Sequence, residues 1–346
     1  MSDRNSFYSH FGIIFTAFRT ERYNDWGDSR TWESAETFFQ EIFSEYDPYV
    51  MNEQETYDVI PIDYEDSDGI KNISLKGYLA MPNETWARPL PLVIIVPNWD
   101  GVNEYEKERA TMLADKGYIA FAADVFGAGY QENLTKQEKV SFGTKYLNNF
   151  PLYILRIERA IDVSSTYDEV MEGQVAVMGY GSLGGTAAVL HGISGADGAK
   201  LSVGFHPSLN RVTDRATKVA TISAHPYVQI FSGFEDPYRG VDQVVLENVL
   251  TSSNASWELT TYGNVTHGFT RWGTMVYDVV GDIRSWDSMM SVFKKLLIVP
   301  KQHEVESDPM SETDSMSETD SMSENTNDIS LGLIGSWFCD TLNFFC

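Results

Sequence analysis

The chain has 346 residues, 42% of them apolar and 13% aromatic, and 50 acids outweigh 25 Lys and Arg to give a formal charge of −25. This is the composition of a folded chain long enough for a large core, and it excludes a disordered or fibrous one. The acid excess argues against nucleic acid or anionic lipid as a partner, since both call for a basic face. The two cysteines, Cys339 and Cys346, both fall in the last eight residues. The body therefore holds no thiol nucleophile, no disulfide framework and no cysteine zinc site. No run reaches the roughly 18 apolar residues of a membrane span, and no apolar signal-peptide stretch follows Met1. A soluble, cytoplasmic protein is expected. The five Asn-x-Ser/Thr sequons, at Asn72, Asn83, Asn133, Asn254 and Asn264, then read as incidental.

In chain order, residues 1–50 form an N-terminal extension. Trp32, Ala35, Phe39, Ile42, Phe43 and Tyr46 recur at helical spacing with Glu33, Glu36, Glu41 and Glu45 opposite them. Asp47-Pro48 closes this amphipathic helix. Residues 51–300 carry a regular pattern. Tyr57–Tyr64 and Ile70–Ala80 alternate as half-buried antiparallel strands. Pro91–Pro97 and Tyr118–Asp124 are continuous apolar runs, as expected of strands covered on both faces. Glu104–Lys116 reads as a helix closed by Gly117, and Lys136–Leu147 and Leu152–Tyr167 as two more. Gln174–Met178 is a strand that feeds a glycine-rich turn and an apolar helix, Leu183–Ile193. Strands follow at Leu201–Phe205, Val228–Phe231 and Trp257–Tyr262, and the pattern ends on a helix at Ile283–Leu297. Such alternation predicts an α/β fold with a mostly parallel sheet covered by helices on both faces, and functional loops at the C-terminal strand ends. Residues 301–346 repeat a six-residue unit in Met310–Asn325 and carry ten acids and one base. They read as an acidic low-complexity tail with an apolar end, Ile329–Cys346.

Chemistry is most legible at Gly179-Tyr180-Gly181-Ser182-Leu183-Gly184-Gly185. A strand, a tight small-residue turn holding a serine, then a helix is the context of a nucleophile elbow. Ser182 has the required small residue, Gly184, two positions after it, whereas Tyr180 two positions before it does not fit. Further on, Asp236 follows one strand and His267 the next. The order Ser182, Asp236, His267 is that of α/β-hydrolases. A hydroxyl needs a base to become nucleophilic, and the base needs an acid to fix its tautomer.

These residues, with several flanking segments, resemble the dienelactone hydrolase family of α/β-hydrolases from about Tyr57 to Leu297. The segments are Pro97–Asn103, Gly117-Tyr118 with Asp124–Gly127, Val203–His206, and Tyr277-Asp278 with Arg284-Ser285-Trp286. The resemblance implies an α/β-hydrolase fold and hydrolysis of ester or lactone bonds in small molecules without a cofactor; no pair of the histidines has metal-ligand spacing, so no metal is expected. It also implies an oxyanion hole built from the N–H groups of Leu183 and Trp99. Asn98 stands where the family has a thiol-activating glutamate, and Arg271 where its founding type binds a substrate carboxylate; both are expected to bind substrate. A solvated loop arginine is the other reading of Arg271. Two departures stand out. The family nucleophile is cysteine, and this elbow is one residue longer. Counted from the helix side, Ser182 is the nucleophile; counted from Gly179, the position is Gly181 and the protein is an inactive, hydrolase-shaped binding protein. Asp124 and His206 are expected to be structural, and Asp100 lies near the pocket mouth without an assigned partner.

Overall fold

The computed structural model describes residues 59–67, 72–83, 86–130, 134–194, 196, 198–216, 226–240 and 243–301. The helix expected within residues 1–50 and the acidic tail lie outside these residues. The described elements run β1 (Val59–Ser67), β2 (Asn72–Ala80), β3 (Leu90–Val96), α1 (Glu104–Ala114), β4 (Ile119–Ala122), α2 (Lys136–Leu147), α3 (Phe150–Ser164) and β5 (Val170–Tyr180). After one π-helical turn at Gly181–Gly185 come α4 (Thr186–Ser194), β6 (Leu201–Phe205), α5 (Leu209–Ala216), β7 (Tyr227–Gly233), α6 (Gln243–Ser252), β8 (Ser256–Tyr262) and α7 (Val279–Leu296).

All eight strands join one sheet in the order β1-β2-β4-β3-β5-β6-β7-β8. The pairs β1–β2 and β2–β4 are antiparallel, and every pair from β4 to β8 is parallel. The chain thus reverses its direction of travel across the sheet after β4 and lays β5 beside β3. Parallel α/β sheets place their binding crevice at the C-terminal strand ends beside such a switch, and here that is the end of β3 and β5.

Pleating sorts the buried residues into two cores. Leu92, Ile94 and Val96 of β3 and Val175 and Val177 of β5 face α3, α4 and α6, whose Tyr153, Ile157, Ala187, Leu190, Leu246 and Leu250 share that core. Val93 and Ile95 with Ala176 and Met178 face the other way, onto Ala110 and Leu113 of α1 and Trp286, Met289 and Phe293 of α7. Every residue of β3 is buried, which explains why its run lacks polar alternation. α1 opens with a complete capping box, Asn103 accepting from Tyr105 N–H and Glu106 from Asn103 N–H. α2 opens the same way on Thr135 and Glu138. Among the described residues, no helix is long and apolar enough to cross a membrane.

Candidate active site

β5 runs two residues beyond its predicted end, to Tyr180, and its tip turns sharply. The left-handed backbone of the turn falls on Gly181, at φ +74°. An L side chain is strained there, and its Cβ would lie 2.3 Å from Nδ2 of Asn98. Ser182 comes next, inside the π-helical turn. A π turn holds one residue more than the usual helical turn, so the backbone takes up the additional elbow residue here. Gly184 is required for a different reason. Its Cβ would sit 2.4 Å from the carbonyl oxygen of Val96, so only a bare backbone lets the turn lie on the end of β3. Tyr180 is buried, stacked on Phe205 with ring centroids 4.9 Å apart and edge-on to Tyr105. The large side chain before the serine is thus accommodated beneath the sheet end.

The predicted residues converge. Asn98, Trp99, Ser182, Leu183, His267 and Arg271 all line one cleft of about 380 Å³, together with His206, Tyr238, Val276 and part of α2. Asp236 stands behind it, where its Oδ2 lies 2.8 Å from Nδ1 of His267. The Asp236 side chain is 1% exposed and that of His267 18%. Oδ1 of Asp236 accepts from Tyr238 N–H at 2.7 Å, so both carboxylate oxygens are engaged. The same turn sets the Tyr238 ring edge-on to His267 at 4.8 Å. An acid bonded to Nδ1 fixes the neutral ring with its proton on that side and leaves Nε2 as the base.

The expected oxyanion donors differ in state. The Leu183 N–H is turned onto Oδ1 of Asn98 at 3.3 Å and is therefore occupied, contrary to an open hole. Asn98 can do this because Gly181 leaves room for its amide. The Trp99 backbone is held in place through its carbonyl, which accepts from the Tyr130 hydroxyl. Arg271 lines the cleft as expected for a substrate contact, but its Nη2 donates to Oδ2 of Asp100 at 2.7 Å. Asp100, which had no assigned partner, thereby has one.

His206 is a wall residue that sequence reasoning took only as structural. Its Nε2 bonds Thr270 Oγ1 at 2.9 Å, and Thr270 in turn meets the Tyr105 hydroxyl at 2.7 Å. Its ring lies 5.2 Å from that of His267. Burial, with His267 and Arg271 adding to it, holds His206 well below the usual imidazole range. A neutral ring beside His267 does not oppose charge forming there. The signal was present in its place at the end of β6, one strand beyond the elbow. Asp124 braces its loop as expected, accepting from the N–H groups of Phe126 and Gly127 on one oxygen and Lys76 on the other.

The comparisons agree with this architecture. The family model described as "Dienelactone hydrolase family" matches residues 75–297. A Bradyrhizobium protein named a probable 2-oxo-3-(5-oxofuran-2-ylidene)propanoate lactonase is 25% identical over 232 residues, covering 64% of this chain and 90% of its own. The crystal structure of P91, a dienelactone hydrolase-like promiscuous phosphotriesterase from metagenomic libraries, superposes with a TM-score of 0.58 at 25% identity. It covers 69% of this chain and 99% of its own. A structure titled m3DLH gives a TM-score of 0.56 at 25% identity, covering 69% and 99%. With the eight-stranded sheet, the switch after β4 and the match over most of the sheet-forming chain, this protein has the α/β-hydrolase fold and belongs to the dienelactone hydrolase family.

Proposed function

We propose that the protein hydrolyses ester or lactone bonds of small molecules with Ser182, His267 and Asp236 in place of the family's cysteine-centred triad. The observation that carries this reading is that Ser182 and His267 line the same cleft, with Asp236 bonded to Nδ1 of the imidazole. In the reaction, Ser182 Oγ attacks the carbonyl carbon while His267 Nε2 takes its proton. The negative oxygen of the tetrahedral intermediate forms beside the N–H groups of Trp99 and Leu183, the latter released when Asn98 turns away. His267 returns the proton to the leaving alkoxide; water, deprotonated by the same imidazole, then attacks the acyl-serine, and that proton passes to Ser182 Oγ as the bond to the acid breaks. Ser182→Ala should lower p-nitrophenyl acetate turnover at least ~10³-fold, the scale of losing a triad member. Full turnover in that variant removes Ser182 from the mechanism.

A second reading rests on Gly181. The left-handed position of an elbow carries the nucleophile, and here that position has no side chain. On this reading the chain binds a ligand in the same cleft and does not cleave it. A fluorophosphonate probe separates the two: covalent labelling at Ser182 supports the hydrolase, and an unlabelled serine with no esterase activity supports the binder.

A further inference from the structure

The cleft wall includes one permanently charged side chain, Arg271. That cation does not face the cleft alone. Its Nη2 is 2.7 Å from Asp100 Oδ2, and the two side chains are 35% and 17% exposed. This is the arrangement that makes a charge-assisted hydrogen bond count, since solvent screens it only in part. Asp100 is itself fixed. It sits in the turn where Gly101 N–H donates to the Asn98 carbonyl, and Lys139 Nζ reaches its carbonyl oxygen at 3.3 Å. The second carboxyl in electrostatic range of Arg271 is Glu106, buried in α1. Elsewhere the cleft is lined by apolar Trp99, Leu147, Leu183 and Val276 and by uncharged polar side chains such as Thr144 and Thr274. Between the lining residues Thr274 and Val276, Met275 is fully exposed.

Resting on the proposed reading of this cleft, we propose that Asp100 is a specificity-determining residue. By occupying Arg271 it makes the site select uncharged apolar acyl groups and turn away carboxylate-bearing ones. A carboxylate ligand would have to share the guanidinium with Asp100, whose charge already neutralises it, or displace that acid, against the repulsion of a chain of charge −25. An apolar acyl chain finds apolar groups to pack on there and disturbs no ion pair.

The test uses binding, so that it does not depend on turnover. The full-length Ser182→Ala protein is titrated calorimetrically with hexanamide and with adipamate, which differ by a methyl against a carboxylate at the far end of the chain. Hexanamide should bind more tightly. Adding Asp100→Asn should raise adipamate affinity relative to hexanamide by at least about tenfold, the scale of one charge-assisted hydrogen bond. Adding Arg271→Gln to that variant should erase the gain. Adipamate binding as tightly as hexanamide before Asp100 is changed overturns the inference, as does failure of both amides to bind. A folded Asp100→Asn variant without the gain also overturns it. If the Asp100 variant does not fold, the first comparison decides. Preference for hexanamide in a wild-type protein that cleaves no ester would sink the hydrolase reading and leave the selectivity of the cleft standing.

Discussion

Ser182 and Gly181 divide between them two properties that an elbow ordinarily unites: the reactive side chain and the left-handed backbone. Gly181→Ala isolates the backbone part. Alanine at φ +74° costs about 1–2 kcal/mol of backbone strain, and its Cβ would press on the Asn98 amide. A melting temperature several degrees lower is expected by thermal denaturation. An unchanged value would mean that the turn relaxes and Asn98 swings aside. These two residues also mark where sequence reading stopped. The triad order, the cleft residues and the pairing of Asp236 with His267 were legible because strand ends and residue types locate them. The register of the turn was not. Counting from the strand and counting from the helix are equally good on a string of letters, and only the dihedral angles distinguish them. Asp100 had the same difficulty: its partner lies 171 positions away.

At the scale of elements, β6 has its expected bounds, β3 is shifted back by one residue and β4 lies within its longer apolar run, because a strand buried on both faces has little freedom in composition. β7 and β8 each begin one residue before the expected start, and β7 runs two residues beyond its expected end. Helix α1 was legible as a helix closed by Gly117, and what it buries was hidden. Glu106 and Arg109 are 2% and 1% exposed. Arg109 ion-pairs with Asp282 of α7 and donates to the Thr270 carbonyl at 3.2 Å, with its guanidinium over Trp272. Nothing local distinguishes Arg109 from its exposed neighbours, since its partners come from the far end of the chain. Glu106 gives a pH-dependent consequence. Burial, with Asp100 adding to it, pushes its carboxyl up from 4.5 to about 8. Between those values the folded state holds a proton that the unfolded chain has released. Stability contributed by this group is therefore present below 4.5 and lost as pH rises to about 8. Glu106→Gln keeps a capping-box side chain and removes the titration. Its melting temperature should equal that of the wild type in acid and exceed it near pH 8. Parallel curves would show that Glu106 does not carry the dependence.

For the molecule as a whole, the described sheet and helices close at α7, and every proposed catalytic residue precedes it. Residues 302–346 carry −10 of the total −25. Cutting after Lys301 should yield a cysteine-free protein that retains its fold and its activity on p-nitrophenyl acetate. Its melting temperature should stay within ~5 °C, since a larger shift corresponds to about 1–2 kcal/mol in a protein of this size. A larger fall would mean that the apolar end, Trp337 to Phe345, packs on the body.

The π-helical turn at Gly181–Gly185 has a genetic meaning as well as a geometric one. Removing the single codon for Gly181 joins Tyr180 to Ser182 and spells Gly-Tyr-Ser-Leu-Gly-Gly, which should deliver the serine to the left-handed position. The chain is thus one triplet away from an ordinary serine elbow. If the extra residue was acquired to soften an ancestral activity, deleting it should restore that activity, and esterase turnover of the shortened protein should exceed the parent's. If Ser182 already attacks from its present place, the deletion should bring no gain. The same cleft, the same His267 and the same Asp236 would then serve two alternative reading registers of one strand end.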